Sequence, residues 1–165
     1  MKRSNKIISL FLLVYLIILM SCGDKESSTQ LSSVEQLEID IDKIEAYIVE
    51  NSIQNVQTTT SGLRYVISTP GSGRDATAGD NISVHYTGKF LSGGVFDTSI
   101  GKNPIEFPVG TGRVISGWDE GLQLFNTGAK GLLLIPSILA YGPSGRGSIG
   151  PNEVLIFEVE MISIN

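Results

Sequence analysis

The sequence predicts an α+β fold in which an antiparallel β-sheet wraps around one short α-helix, preceded by a short acidic amphipathic helix. Two observations support this prediction. Between residues 62 and 165, apolar and polar side chains alternate with period two in several short segments separated by Gly- and Pro-rich turns, which is typical of half-buried antiparallel strands. Within that region only residues 119–125 have a helical composition. Many short strands with one helix indicate a sheet that covers the helix.

The composition is typical of a globular chain and argues against nucleic acid as a partner. Of the 165 residues, 41% are hydrophobic and 18% are charged, and the formal net charge is −5. Binding to nucleic-acid phosphates requires clustered Lys or Arg, and this acidic sequence has no basic cluster. The length fits one compact domain with additional segments.

The N-terminus, residues 1–21, is predicted to be a lipoprotein signal peptide. Three basic residues precede an apolar run at 7–20, which is shorter than the ~20 residues of a bilayer-spanning helix. The sequence Leu19-Met20-Ser21-Cys22 then resembles the lipobox of bacterial lipoproteins, which implies cleavage before Cys22, its acylation and a lipid anchor in the bacterial cell envelope. An ordinary secretory signal and an uncleaved anchor remain alternatives. Cys22 is the only cysteine, which excludes intramolecular disulfides.

A polar, Ser-rich tether at 22–32 and a helix at 33–51 are predicted next, with Ser33 and Gln36 as a capping box. The apolar residues of this helix recur at spacings of three and four and form one stripe: Val34, Leu37, Ile41, Ile44 and Ile48. The acidic residues are assigned to the other faces: Glu35, Glu38, Asp40, Asp42, Glu45 and Glu50. The helix could pack on its own domain, form a homodimer through residues 34–48, or act as a solvated spacer.

A polar, Thr-rich linker is predicted at 52–61, followed by a domain at 62–165. Five strands are predicted in this domain: 63–67, 82–87, 105–107, 129–135 and 154–164. Gly-rich turns are expected at 70–73 and 92–94. The helix at 119–125 begins with two acidic residues, which suits the helix dipole.

Five short motifs occur in order along the second half of the chain. They are Val84-His85-Tyr86-Thr87-Gly88, Phe96-Asp97, Val114-Ile115-Ser116-Gly117-Trp118, Ala140-Tyr141-Gly142 and Leu155-Ile156-Phe157. Together these residues closely resemble the FKBP-type (FK506-binding) peptidyl-prolyl cis/trans isomerases, from about residue 62 to the C-terminus.

The resemblance implies an enzyme that rotates Xaa-Pro bonds in exported or envelope proteins and so assists their folding. It also implies that macrolide inhibitors bind, and that no cofactor and no metal is needed. Two alternatives remain open: a non-catalytic chaperone or assembly lipoprotein that binds Pro-containing segments, and a purely structural envelope lipoprotein.

The resemblance also assigns the site residues. Trp118 is similar to the floor on which the proline ring sits, and Tyr141 to the residue whose hydroxyl binds a substrate carbonyl. Asp97 matches an acid that acts on the rotating amide or accepts a hydrogen bond from Tyr86, and the backbone N–H of Ile115 would hold a second carbonyl. The remaining substrate-binding residues are Tyr86, Phe96, Phe107, Val114, Ile115, Ile149 and Phe157. Taken alone, aromatic residues in strands are more often core than site, and Asp97 could be a turn cap.

Two further observations qualify the resemblance. His85 is the only histidine, and strand alternation directs it away from Tyr86 and the expected pocket, so we interpret it as structural. The segment between Asp97 and Pro104 is about one residue shorter than in small eukaryotic members, and Ile105 stands where an aromatic residue is common.

Overall fold

The computed structural model describes residues 31–165, and the predicted signal peptide, its lipobox and Cys22 lie outside this range. The described residues form a seven-stranded antiparallel sheet, a two-stranded sheet and two α-helices joined by turns. This arrangement confirms the predicted α+β class. Among residues 31–165, no helix is both long and apolar enough to cross a bilayer.

The N-terminal helix α1 spans Ser33–Glu50, close to the predicted range, but its cap differs from the prediction. Ser32 is the N-cap: its hydroxyl accepts the N–H of Glu35 at 3.2 Å, and the Glu35 carboxylate accepts the N–H of Ser32 at 2.9 Å. The capping box predicted at Ser33 and Gln36 was therefore wrong by one residue. Gln36 is buried and donates to Asp40 instead, so it is not available for capping.

The buried side of α1 also differs from the predicted apolar stripe. Its buried residues are Gln36, Asp40 and Ile44, spaced four apart on one line of the helix. Ile44 packs with Leu134 of the seven-stranded sheet and with Val154, while Val34 is 64% exposed. Asp40 was predicted on a face other than the packing stripe but is completely buried, because its hydrogen-bonding partner Ser137 lies on the packed side of the helix.

Among residues 31–165, nine strands form the two sheets. Their bounds are β1 Gln57–Thr58, β2 Arg64–Thr69, β3 Ser72–Asp75, β4 Asn81–Phe90, β5 Val95–Thr98, β6 Ile105–Pro108, β7 Asn126–Thr127, β8 Lys130–Ile135 and β9 Leu155–Ile164. The large sheet has the order β1-β2-β8-β9-β4-β5, with β6 also paired to β4, and β3 pairs with β7. All five predicted strands are present with shifted bounds. The segment predicted as a linker contains β1, and the turn predicted at 70–73 overlaps β3.

The second helix, α2, spans Ser116–Gly121 and continues into a 3₁₀ turn at Leu122–Leu124. It begins three residues before the predicted start, so Trp118 lies within the helix. Two glycines let α2 approach strand β8 closely. A Cβ atom on Gly117 would lie 2.4 Å from Cγ2 of Ile135, and one on Gly121 would lie 2.8 Å from Cδ2 of Leu133.

The two helices cover opposite faces of the sheet at strand β8. Ile135 and Leu133 belong to the main core with Trp118, whereas Leu134 packs against Ile44 of α1. This follows from the alternation of side chains along a strand. One strand thus connects the packing of α1 to the packing beneath α2.

Candidate active site

A cavity of about 680 Å³ opens between strands β4 and β5, helix α2 and the segment that follows β8. Eight of the ten predicted site residues line it: Tyr86, Phe96, Asp97, Val114, Ile115, Trp118, Tyr141 and Phe157. Residues that are separated by up to 71 positions in the sequence therefore meet around one cavity.

Trp118 lines this cavity and belongs to a cluster of aromatic rings. Its side chain is only 5% exposed, and its ring lies edge-on to Tyr86 and to Phe157, with centroids 5.0 Å apart in each pair. Phe107 stacks on the tryptophan at 5.8 Å. Edge-on and stacked contacts of this kind stabilise a fixed ring orientation. Phe107, predicted as a wall, is not among the lining residues and instead supports Trp118 from the core.

A glycine lies beneath two of the wall rings. Gly88 pairs with Asp97 on β5 and with Phe157 on β9. A Cβ atom at position 88 would lie 2.6 Å from Cζ of Phe96 and 2.9 Å from Cε1 of Phe157. Those two rings meet edge-on at 5.6 Å, and this packing requires that position 88 carry no side chain.

Tyr86 and Asp97 are joined by a hydrogen bond at the cavity wall. The Tyr86 hydroxyl donates to Oδ2 of Asp97 at 2.6 Å, and Oδ1 of the same carboxylate accepts the N–H of Thr98 at 2.8 Å. Partial burial of the phenol and its bond to the carboxylate raise the pKa of Tyr86 far above its usual value of about 10. Asp97 itself is exposed, so its charge is available to a bound ligand.

Tyr141 also lines the cavity and directly precedes the 3₁₀ turn Gly142–Ser144. The guanidinium of Arg146 lies 5.7 Å from the centroid of its ring, within the range of a cation–π contact. Ile149, predicted to bind substrate, is 8% exposed and does not line the cavity. It forms a backbone bridge with Arg146 and so holds the loop behind Tyr141.

Several lining residues were not predicted from the sequence. Ile105, Ser116 and Ala140 border the aromatic walls, and Arg113 and Arg146 add two exposed cations at the cavity. Ser116 and Ala140 lie within the quoted motifs and Arg113 directly precedes one, so these motifs were the available signal for those three. Their side chains have no shared chemical type that would have singled them out.

His85 lies outside the aromatic cavity, as predicted. Its Nδ1 is 3.0 Å from the hydroxyl of Ser99, which accepts the N–H of Tyr86 at 2.8 Å. The histidine therefore supports the backbone next to a site residue. In the described part of the chain, no group of three or more His, Cys, Asp or Glu side chains could hold a metal ion.

Comparisons with known proteins agree with this geometry. A family model described as "FKBP-type peptidyl-prolyl cis-trans isomerase" matches residues 72–162. The chain is 42% identical over 126 residues to the "Probable FKBP-type peptidyl-prolyl cis-trans isomerase FkpA" of Neisseria meningitidis serogroup B, a match that covers 74% of this chain and 46% of that protein. It is 48% identical over 106 residues to "FK506-binding protein 2" of Yarrowia lipolytica, covering 63% of this chain and 74% of that one.

Solved structures give the same result. The crystal structure of AtFKBP13 matches with a TM-score of 0.64 and 37% identity, over 67% of this chain and 99% of that one. The crystal structure of FkpA from Escherichia coli matches with a TM-score of 0.68 and 30% identity, over 99% of this chain and 74% of that one. The chain belongs to the FKBP-type peptidyl-prolyl cis-trans isomerase family. It spans about half the length of several curated relatives that it matches.

Proposed function

We propose that this protein catalyses cis/trans rotation about Xaa-Pro peptide bonds in protein segments and so assists their folding. The observation that carries the proposal is the aromatic cavity in which Trp118, Tyr86 and Phe157 surround a space with Asp97 at its wall. Family membership supports the same activity.

The reaction requires differential binding rather than bond breaking. Rotation about the amide removes C–N resonance and has a barrier of ~18–20 kcal/mol. An enzyme lowers this barrier when it binds the twisted amide more tightly than the planar one. The twisted amide has less charge separation, so transfer into a dry aromatic cavity costs it less than it costs the planar form. Each ~1.4 kcal/mol of such preference accelerates the rotation about tenfold.

The proposed roles are those that the family resemblance implies, and the positions of the residues at the cavity support them. The proline ring would lie on Trp118, and the Tyr141 hydroxyl would donate to one substrate carbonyl. The backbone N–H of Ile115 would hold a second carbonyl, since Ile115 precedes α2 and only its carbonyl takes part in the helix, accepting from the N–H groups of Trp118 and Asp119. Asp97, with Tyr86 bound to it, would act electrostatically on the rotating amide.

The second candidate is a chaperone that grips Pro-containing segments in the same cavity without fast turnover. Cis-to-trans conversion of a short Xaa-Pro peptide, measured with the full chain and with its Asp97→Ala and Trp118→Ala variants, separates the two candidates. Acceleration that falls in both folded variants supports the isomerase. If the folded wild-type chain binds the peptide without accelerating its conversion, the chaperone is correct.

The same cavity is proposed to bind macrolide inhibitors. Because Trp118 is the only tryptophan, its fluorescence reports on an occupant of the cavity floor. A saturable fluorescence change on macrolide titration supports this proposal. A spectrum that stays unchanged at inhibitor concentrations that block other family members argues against it.

We further propose that Cys22, outside the described residues, is acylated and anchors the chain in the bacterial cell envelope, where exported proteins are its clients. The support is the basic N-terminus, the apolar run and Ser21 before Cys22. Incorporation of labelled palmitate into the wild type and its loss in Cys22→Ala tests this. Equal labelling of both chains would contradict it.

A homodimer through residues 34–48 remains a prediction. Ile44 packs within its own chain, whereas Val34 is 64% exposed and available to a partner. Sedimentation equilibrium of the wild type and of Val34→Asp tests it. A wild-type dimer that dissociates in the variant would support the prediction, and a wild-type monomer would exclude it.

A further inference from the structure

One acidic residue of helix α1 is completely buried against the segment that leads to the cavity. Asp40 has 0% exposure, and its Oδ2 accepts both the N–H of Ser137 at 2.8 Å and the hydroxyl of Ser137 at 2.5 Å. Its Oδ1 accepts from Nε2 of Gln36 at 2.8 Å and lies 3.7 Å from Nζ of Lys43. The carboxylate therefore has partners on both oxygens.

Burial of the Asp40 carboxylate costs free energy and restricts where its hydrogen-bonding partners can lie. A carboxylate taken out of water is destabilising unless hydrogen bonds and opposite charge replace its hydration. Three donors and one partly exposed ammonium do so here. Such a group has few alternative positions, because movement of α1 relative to Ser137 would leave the charge or the donors unpaired.

Ser137 lies a few residues before two residues that line the cavity. It is itself 0% exposed and begins the 3₁₀ turn Ser137–Leu139 directly after Pro136. The carbonyl of Ser137 accepts the N–H of Ala140 at 2.9 Å. Ala140 and Tyr141 then line the cavity. Only one turn of backbone thus separates the bonds to Asp40 from the Tyr141 side chain.

We propose that Asp40 is a positioning residue of the isomerase, which holds Tyr141 in the cavity wall through Ser137, so that helix α1 is part of the functional unit. The proposal rests on the proposed isomerase function. In a purely structural alternative, Asp40 would only dock α1 on the sheet, and its loss would lower stability without a specific effect on what Tyr141 does.

A double-mutant cycle in the full chain distinguishes these two cases. The variants are Asp40→Asn, Tyr141→Phe and their combination, with the exposed Asp42→Asn of the same helix as the matched control. Small displacements of a positioned group are costly in rate, so we expect Asp40→Asn to lower kcat/KM by about tenfold in folded protein, with Asp42→Asn unchanged. In the Tyr141→Phe background the loss should be under about twofold, because the hydroxyl to be positioned is absent. An equal loss in both backgrounds, or no loss in either, would overturn the proposal.

If Asp40→Asn does not fold, Ser137→Ala replaces it in the double-mutant cycle. It retains the backbone N–H bond to Asp40 and removes the hydroxyl bond alone. We expect a smaller loss of kcat/KM, about threefold, that again disappears in the Tyr141→Phe background. A loss that persists there would overturn the proposal.

A readout that does not depend on activity separates failure of this proposal from failure of the isomerase function. By NMR, Asp40→Asn, or Ser137→Ala in its place, should shift the ring resonances of Tyr141, and Asp40→Asn should also accelerate hydrogen exchange of the Ser137 amide. Asp42→Asn should do neither. These changes in a chain without isomerase activity would refute the proposed function and still support the positioning of Tyr141. An active chain whose Tyr141 resonances do not move would overturn the positioning alone.

Discussion

The hydroxyl of Tyr86 donates a 2.6 Å hydrogen bond to Oδ2 of Asp97, and both residues line the cavity together with Trp118. The hairpin of β4 and β5 fixes this pair, because Gly88 on one strand lies opposite Asp97 on the other. A rigid sheet therefore holds a negative charge at the edge of an aromatic space. Preorganised charges of this kind can favour one electronic state of a bound amide.

The charge of Asp97 is predicted to matter more than the shape of its side chain. Asp97→Asn retains the size and removes the charge, so we expect kcat/KM to fall by about tenfold. Tyr86→Phe retains the charge and removes one donor, so its loss should be smaller. The measurement is the rate of Xaa-Pro conversion, with the exposed Asp75→Asn as control. A smaller loss in Asp97→Asn than in Tyr86→Phe would contradict the electrostatic role.

Tyr86 should make stability depend on pH in the alkaline range. Burial and the bond to Asp97 raise the pKa of Tyr86 in the folded state, whereas in the unfolded chain the group titrates near its usual value of about 10. The contribution is thus fully present below pH ~10 and is lost as pH rises toward the folded pKa, since only the unfolded state then releases the proton. The free energy of unfolding, measured by denaturant unfolding between roughly pH 8 and pH 11, should fall more steeply with pH in the wild type than in Tyr86→Phe. Parallel curves would show that the shift does not affect folding.

Gly88 should be essential for the aromatic walls. The methyl group of Gly88→Ala would overlap Phe96 and Phe157, so we expect a loss of about 1–3 kcal/mol in the free energy of unfolding and reduced kcat/KM. Gly94→Ala is the matched control, because a Cβ there meets nothing closer than Phe90 Cδ2 at 3.6 Å. Chemical denaturation and the isomerase assay measure both effects. Equal behaviour of the two variants would refute the packing argument.

Asp119 should hold the loop that carries Arg113 and Val114. Its carboxylate accepts the N–H groups of Gly110 at 2.8 Å and Gly112 at 2.7 Å, both at positive φ. We expect Asp119→Ala to raise KM about threefold or more because this loop loosens. Asp119→Asn retains one acceptor oxygen, so its KM should lie between those of Asp119→Ala and the wild type. Amide exchange at Gly110 and Gly112 should accelerate in the same order. Unchanged exchange in Asp119→Ala would contradict this assignment.

The sequence predicted the local features of this fold well and the long-range polar contacts poorly. Trp118, Tyr86 and Asp97 could be proposed as site residues because each stands in a short motif that resembles the family. Asp119 was interpreted as a helix start, since nothing nearby indicates that its partners are the backbone N–H groups of a preceding loop.

Asp40 was assigned to the faces away from the apolar stripe for a similar reason. Its partner Ser137 is 97 positions away, and a periodicity argument treats every acidic residue as exposed. The spacing of Gln36, Asp40 and Ile44 by four was the one available signal, because it places all three on one line of the helix.

The most direct test of the central claim is NMR exchange spectroscopy of a Xaa-Pro peptide with a substoichiometric amount of the full chain. Uncatalysed exchange takes ~10–100 s, too slow to give cross-peaks between the cis and trans resonances. The proposed function predicts that these cross-peaks appear, together with intermolecular contacts between the proline ring and the Trp118 indole. If no cross-peaks appear with folded protein, or if the proline contacts another part of the chain, the account is contradicted.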